Sequence, residues 1–279
     1  MTLKKTIALI VCCTCSLGCG DGASRPTGGS GGAGGFGGGP TEAANVYSLL
    51  FDGMDDFGSA GDVSNTLGET IDAFSISLWF KAVGTPDTGS MMLQLNPELE
   101  TGANSMQFSL FWASADEVGI RLTPDFTSGP TAEVSTEVSD PQAWNHVVVS
   151  FDSEAASDNV RLYLNGVDVG AGDLATPLDA VGNIQFGRQG AGVNHYGGFL
   201  DEAAIWGDVL SAEEVASVYN AGETRDVTSN YDNYTSSGDL QSLWRMGDEN
   251  VGDEENVSDL ISANHFTVVG GGTFETDIP

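Results

Sequence analysis

The chain has 279 residues, of which 40 are Asp or Glu and 9 are Lys or Arg, for a formal net charge of −31. So acidic a body repels nucleic-acid phosphates and anionic lipid surfaces alike, and this excludes nucleic-acid binding as a function class. It suits high salt, divalent cations, or both, and the length admits one large β domain or two small ones.

All four cysteines, at positions 12, 13, 15 and 19, lie at the N-terminal end. The rest of the chain must therefore fold on its apolar core without disulfides. Lys4 and Lys5 precede the apolar run Thr6 to Cys15, which is too short to span a membrane. Residues 1–18 read as a signal peptide, and removing them takes away two lysines and no acids. The run ends in Ser16-Leu17-Gly18-Cys19, which resembles a bacterial lipobox, although Ser16 stands where leucine is usual. That resemblance implies lipidation of Cys19, a membrane partner through this lipid anchor, and a place in the bacterial cell envelope. Residues 20–40 are dominated by Gly with Ser, Ala and Pro, so 19–45 is expected to be a flexible tether. Such a coil holds the domain roughly 25 Å from its anchor.

From residue 46 to 279 the pattern is that of one domain. Tyr47 to Asp52 is a short strand ended by Gly53. In Phe74 to Phe80, Phe74, Ile76, Leu78 and Phe80 alternate with Ser75, Ser77 and Trp79, the period of a strand. Further strands are expected at Met91 to Leu95, Met106 to Trp112, Glu117 to Leu122, Trp144 to Phe151 and Asn159 to Leu164. Asn165-Gly166 is a hairpin turn signal, followed by Val167 to Val169 and then Asn183 to Gly187. Phe199, Asp201, Ala203 and Ile205 alternate with Leu200, Glu202, Ala204 and Trp206 in the next strand. Ser211 and Glu214 have capping-box spacing and start a short helix with an apolar stripe of Val215, Val218 and Tyr219, which Asn220-Ala221-Gly222 ends. Leu240 to Met246 and His265 to Val269 close the set. Short strands at this spacing with one short helix near 211–221 predict an all-β, two-sheet antiparallel sandwich.

Four stretches carry a family resemblance in their order along the chain: Leu50 to Phe57 with its FDG, Phe74 to Trp79, Trp144-Asn145-His146-Val147 with Val160 to Gly166, and Phe199 to Ser211. Together they resemble the laminin G-like and pentraxin-like jelly-roll domains of the concanavalin A-like superfamily. The resemblance implies a jelly roll, and a role in binding a glycan or an extracellular protein on one face or rim. It also implies calcium as a possible cofactor, with Asp52, Asp55 and Asp56 in the first loop and Asp201 and Glu202 in the late strand as candidate ligands. If first and last strands lie side by side, the two groups converge, with Asp201 pointing inward. The alternative is that Asp201 accepts backbone N–H groups and that Asp55-Asp56 is a solvated turn. Trp79 and Trp206 lie opposite their strands' main apolar set, as a sugar-stacking surface or as a second core layer under the helix. His195 and Tyr196, in a Gly-rich loop, are further candidate ligand contacts, whereas Trp112, Trp144 and Trp244 are expected in the core and Arg121, Arg161 and Arg188 in surface ion pairs.

The superfamily also contains glycoside hydrolases, which use two acids about 5–5.5 Å apart in the retaining case. The E-x-D-x-x-E pattern of a retaining glucanase does not occur, and neither does a nucleophile elbow or an HExxH sequence. No catalytic site is expected. The readings that follow are a tethered binding module, then a structural envelope component without a small ligand, then a hydrolase with an untypical acid pair.

Overall fold

The computed structural model describes residues 45–62, 67, 70–96, 106–124, 131–174, 178–179, 182–190, 192–248 and 255–279. The expected signal peptide, Cys19 and all but the last residue of the tether lie outside them. Strands β1 (Ser48–Asp52), β2 (Phe57–Asp62), β3 (Thr70–Ile71), β4 (Ala73–Ala82), β5 (Met91–Leu95), β6 (Gln107–Trp112), β7 (Glu117–Thr123) and β8 (Ala132–Glu137) come first. Then follow β9 (Asn145–Asp152), β10 (Val160–Leu164), β11 (Val167–Gly172), β12 (Leu178–Asp179), β13 (Asn183–Phe186) and β14 (Gly197–Trp206). Helix α1 (Ala212–Tyr219) precedes β15 (Leu240–Trp244), β16 (Asn256–Val257), β17 (Phe266–Val269) and β18 (Thr273–Glu275).

These strands form a two-sheet antiparallel jelly-roll sandwich. The first sheet runs β11-β10-β9-β4-β14-β1-β18, with β15 beside the second half of β14. The second runs β16-β17-β2-β13-β5-β6-β7-β8, and β3 pairs with β12 alone. Edge-on aromatic contacts bridge the sheets: Phe80 with Trp112 at 5.6 Å, Phe186 with Trp244 at 5.5 Å and Phe74 with Phe108 at 6.4 Å. Each such pair is worth about 0.5–1.5 kcal/mol beyond the area it buries. Trp144 differs from expectation. It lies just before β9, half-buried outside the core, with its Nε1 donating to Asp277 and its ring against Phe199.

A second apolar layer covers the outer face of the first sheet. Val148, Tyr163, Ala204 and Trp206 project from its strands and meet Val215 and Val218 of α1 together with Val227 and Tyr234. The hairpin at Asn165-Gly166 takes left-handed backbone at both residues, as its sequence predicts. A side chain at 166 would also strike Tyr219, because an added Cβ would lie 2.8 Å from its ring. The helix carries the expected capping box and ends at Asn220 in the left-handed region. Glu214 then does more than cap. Its two carboxylate oxygens accept from Ser211 N and Oγ, Thr235 N and Oγ1, and Ser236 Oγ, tying the helix to the 223–239 segment. Those donors hold its pKa near 2 although burial opposes them.

Glu214→Ala is expected to cost about 2–3 kcal/mol, through the lost cap and the buried donors left unpaired. Urea unfolding checks this, and a cost below about 0.5 kcal/mol would show that the segment is held by its apolar contacts alone.

Candidate functional site

The backbone between β1 and β2 turns on Gly53, which has φ +81 and packs against Gly197, where an added Cβ would sit 3.2 Å from Gly197 Cα. Asp52 Oδ1 accepts from Met54 N at 2.7 Å, and Asp56 Oδ2 accepts from Asp52 N at 2.9 Å. The turn thus gathers Asp52, Asp55 and Asp56, which each offer an oxygen within 4.8 Å of the others. Asp52 and Asp55 are exposed, but Asp56 is only 3% exposed, and its Oδ1 is buried with no hydrogen-bond partner. Burial raises the Asp56 pKa, and the charges of Asp52 and Asp55 add to the rise. Glycines 270 and 271 run past the turn, the former so close that an added Cβ would lie 2.5 Å from Asp55 O.

Asp201 and Glu202 do not join this group. Asp52 pairs with Gly197 on β14, so Asp201 lies four residues further along the strand, about 13 Å away. The first and last strands do lie side by side, but their register parts the acids. Nor does strict alternation hold in β14. Its pairing with β4 slips between Asp201 and Ala204, and Glu202 takes φ 44. One extra residue at this bulge moves the core positions from Leu200 to Ala203 and Ile205, and leaves Phe199 outside. Asp201 pairs with Trp79 and faces the covered outer layer rather than the space between the sheets.

There Asp201 is 0% exposed and accepts from Asn45 Nδ2 and from Glu202 N. Glu202 pairs with the buried Arg245 at 2.8 Å, and Asp248, 4.0 Å from the same nitrogen, accepts from Val46 N and Tyr47 N. Three carboxyls thus share one neighbourhood with one guanidinium. Burial, then the charge of Glu202, pushes the Asp201 pKa well above the carboxylate range. Burial also carries Glu202 up to about 7 against the opposing effect of Arg245.

The remaining sequence candidates are structural too. Trp79 is 2% exposed, stacks on Tyr219 and lies against His146, the three rings forming one cluster. Trp206 is 0% exposed and donates to Tyr234 Oη at 2.8 Å. Both belong under the helix, not to a sugar-facing surface. Tyr196 is buried, its hydroxyl donating to Lys81 O, and only His195 of that pair reaches the surface. A crevice lined by Trp79, Glu202, Thr224 and Arg225 has room for about one water molecule.

The second sheet is different. Its inner residues Ala60, Ile184, Leu95, Phe108 and Leu122 enter the core, so the alternate positions face outward. Register places Thr267, Ser59, Gln185, Gln94, Ser109, Arg121 and Glu133 in one row across seven strands of that outer face. Among the described residues no helix or sheet covers it. Gly190, just beyond β13, reaches over its middle, its N donating to Gln94 Oε1 at 3.0 Å. Gln185 is 5% exposed, and its Oε1 has no partner. Phe111 lies on the same face beside Gly119, where an added Cβ would be 3.4 Å from its ring. Arg121 does pair with Glu133 and Arg161 with Asp168, as expected, but Arg188 has no ion pair among the described residues and stacks on Phe57. The amides at 94 and 185 were overlooked as sites, although each stands alone between apolar neighbours in its strand.

The family model described as the concanavalin A-like lectin/glucanases superfamily matches residues 52–216. Among solved structures, a candidate carbohydrate binding protein from Bacteroides ovatus aligns with TM-score 0.59 and 14% identity, over 84% of this chain and 61% of that one. The chain therefore spans about three fifths of that protein's length. The native heptameric SAP-like pentraxin from Limulus polyphemus aligns with TM-score 0.52 and 12% identity, over 84% of this chain and 98% of its own. No curated protein matches the sequence.

Asp201 and Glu202 titrate higher in the folded protein than in the unfolded chain. The stability they contribute is complete below their unfolded values and is lost as pH rises, for Glu202 through about 7. The melting temperature should therefore fall between about pH 5 and about pH 8. Asp201→Asn removes the charge and keeps one acceptor oxygen for Glu202 N, at the cost of the bond from Asn45 Nδ2, and should flatten that slope; an unchanged slope would place the titration elsewhere.

Proposed function

The chain belongs to the concanavalin A-like lectin/glucanases superfamily, and we propose that it is a glycan-binding module whose site is the outer face of the second sheet where it meets the turn 52–56 and residues 187–190. The observation that carries this reading is the row of amides and hydroxyls on that face, with Gln185 Oε1 buried and unpartnered within it and Phe111, two residues beyond Ser109 on β6, on the same face. Apolar sheet faces need covering, whereas hydroxyl-rich ligands need amides and aromatic surface placed in advance. Layering supports the choice of face. The first sheet is roofed by α1 and the 223–239 segment, so its aromatics are occupied by the protein itself.

In this reading the module binds without hydrolysing. The carboxylates of the row reduce to Glu133, which Arg121 neutralises, and the paired acids of β14 sit under the other sheet. Calcium is proposed at Asp52, Asp55 and Asp56. Calcium takes 6–8 oxygens at 2.3–2.6 Å, and an unpartnered carboxylate oxygen next to two exposed carboxylates is the donor set it prefers. Such an ion would also relieve the desolvation of Asp56, which is what raises its pKa. Asp201 and Glu202 are left out of this site. A lipidated Cys19 is proposed to hold the module to the cell envelope. Among the described residues no helix is long and apolar enough to cross a membrane.

Gln185→Ala and Phe111→Ala are each expected to weaken binding to the best glycan of an array at least about tenfold. A panel that stays empty for the wild type would point instead to a structural envelope component. Calcium at a hundredfold excess over its Kd is expected to raise the melting temperature by about 5–10 °C over chelator. Asp56→Asn should abolish that shift, and equal melting in calcium and chelator would remove the ion from the site.

A further inference from the structure

Six Lys or Arg residues lie among the described positions, and five of them are in ion pairs: Lys81, Arg121, Arg161, Arg225 and Arg245. Arg188 alone has none among the described residues, in a chain with 40 acids. It is half-buried, and its Nε has no hydrogen-bond partner. Chance would give this arginine a carboxylate sooner than any other state, since acids outnumber cations more than fourfold. The Asp52 to Asp56 turn is immediately adjacent in sequence to Phe57, on which Arg188 rests, yet none of its carboxylates is within ion-pair distance of the guanidinium.

The position is built, not loose. The guanidinium carbon of Arg188 lies 3.3 Å from the centroid of the Phe57 ring, on the outer face of β2. Stacking covers one flat side of the guanidinium and leaves its edge, where the N–H fork projects. The side chain reaches Gly192, where an added Cβ would lie 3.7 Å from Nη1. Gln185 pairs with Ser59, two residues along β2 from Phe57, so Gln185 and the Phe57 that carries the guanidinium are diagonal neighbours on one face. A planar donor fork and a lone acceptor on neighbouring positions of one face suit a sugar that bears both an anionic group and hydroxyls. Long-range repulsion from the acidic body does not forbid this, because fields are screened beyond about 8 Å at physiological ionic strength.

We propose that Arg188 anchors the carboxylate or sulfate of an acidic sugar on the outer face of the second sheet. This rests on the glycan-binding reading of the same face and adds the ligand's charge class to it.

The test uses the full chain and two readouts. On an array of neutral, uronic-acid and sulfated glycans, Arg188→Gln should weaken binding to acidic members about tenfold or more and change neutral binding less than about twofold. Arg188→Lys should restore part of the acidic binding, since it keeps charge but not the fork. Separately, sodium glucuronate should shift the Arg188 Nε–H signal in a nitrogen-resolved NMR titration while glucose leaves it in place, and glucose 6-sulfate in a third arm separates sulfate from carboxylate. Neutral glycans bound as well by Arg188→Gln as by wild type, with no acidic preference and no shift by either anion, would overturn the proposal and leave the glycan reading standing. An empty array with no shift would remove both.

Discussion

One extra residue in β14 governs both layers of this protein. Before Asp201 the strand presents Leu200 to the core; after the bulge it presents Ala203 and Ile205. The same step lets β14 change neighbours on its far edge, from β1 at Leu200 to β15 at Ala203. A bulge needs its extra side chains satisfied, and here they are two carboxyls. Arg245, delivered from just beyond β15, meets Glu202, and Asn45 meets Asp201. Removing one partner of so buried a pair leaves an uncompensated charge, which typically costs about 3–5 kcal/mol. Protonation offers Asp201 the cheaper exit, and this is why burial raises its pKa.

The layering follows from that strand. Ala204 and Trp206 face outward after the bulge, and an outward tryptophan in the central strand must be covered. Helix α1 and Tyr234 cover it, with Glu214 holding the cover in register. The outer side of the first sheet is thereby closed to a large ligand, and the second sheet is left as the face whose polar side chains point away from the core. The closed side and the proposed binding side are two results of one packing problem.

Local signals survived from sequence to structure, and long-range ones did not. The hairpin at Asn165-Gly166 and the capping box at Ser211 and Glu214 depend on residues within a few positions of one another, and both stand as read. Alternation found the strands at 74–80 and 199–206 for the same reason. It could not by itself decide between the covers it offered for each face. Trp79 and Trp206 were legible as a second face, with a core layer under the helix as one of its two readings, and the structure takes that reading; the particular rings over them, Tyr219 and Tyr234, were not legible. The destination of Asp201 was lost because a bulge has no period, and one inserted residue reverses every parity beyond it. Arg188 was misjudged on composition: a rare cation among many acids ought to be paired, and that it stacks on Phe57 instead is a fact of register between β2 and β13.

Charge is where the local and the global arguments meet. Most ion pairs here join exposed side chains, and such pairs contribute little, about 0–1 kcal/mol each. They do not balance the surplus of acids, so the molecule carries a field that draws cations to all of its surface. Attraction of that kind is not a site, because solvated carboxylates hold their counterions loosely. The turn at Asp52 to Asp56 differs in one respect, which is that part of its charge has been taken out of water: Asp56 is buried, and one of its oxygens faces no donor. Desolvation is a cost that diffuse counterions cannot repay and that a directly bound ion can. The same reasoning applies with the sign reversed to Arg188, whose Nε is shielded by protein and unpaired. Two unmet charges of opposite sign, both flanking Phe57, set the proposed rim apart from the rest of an acidic surface.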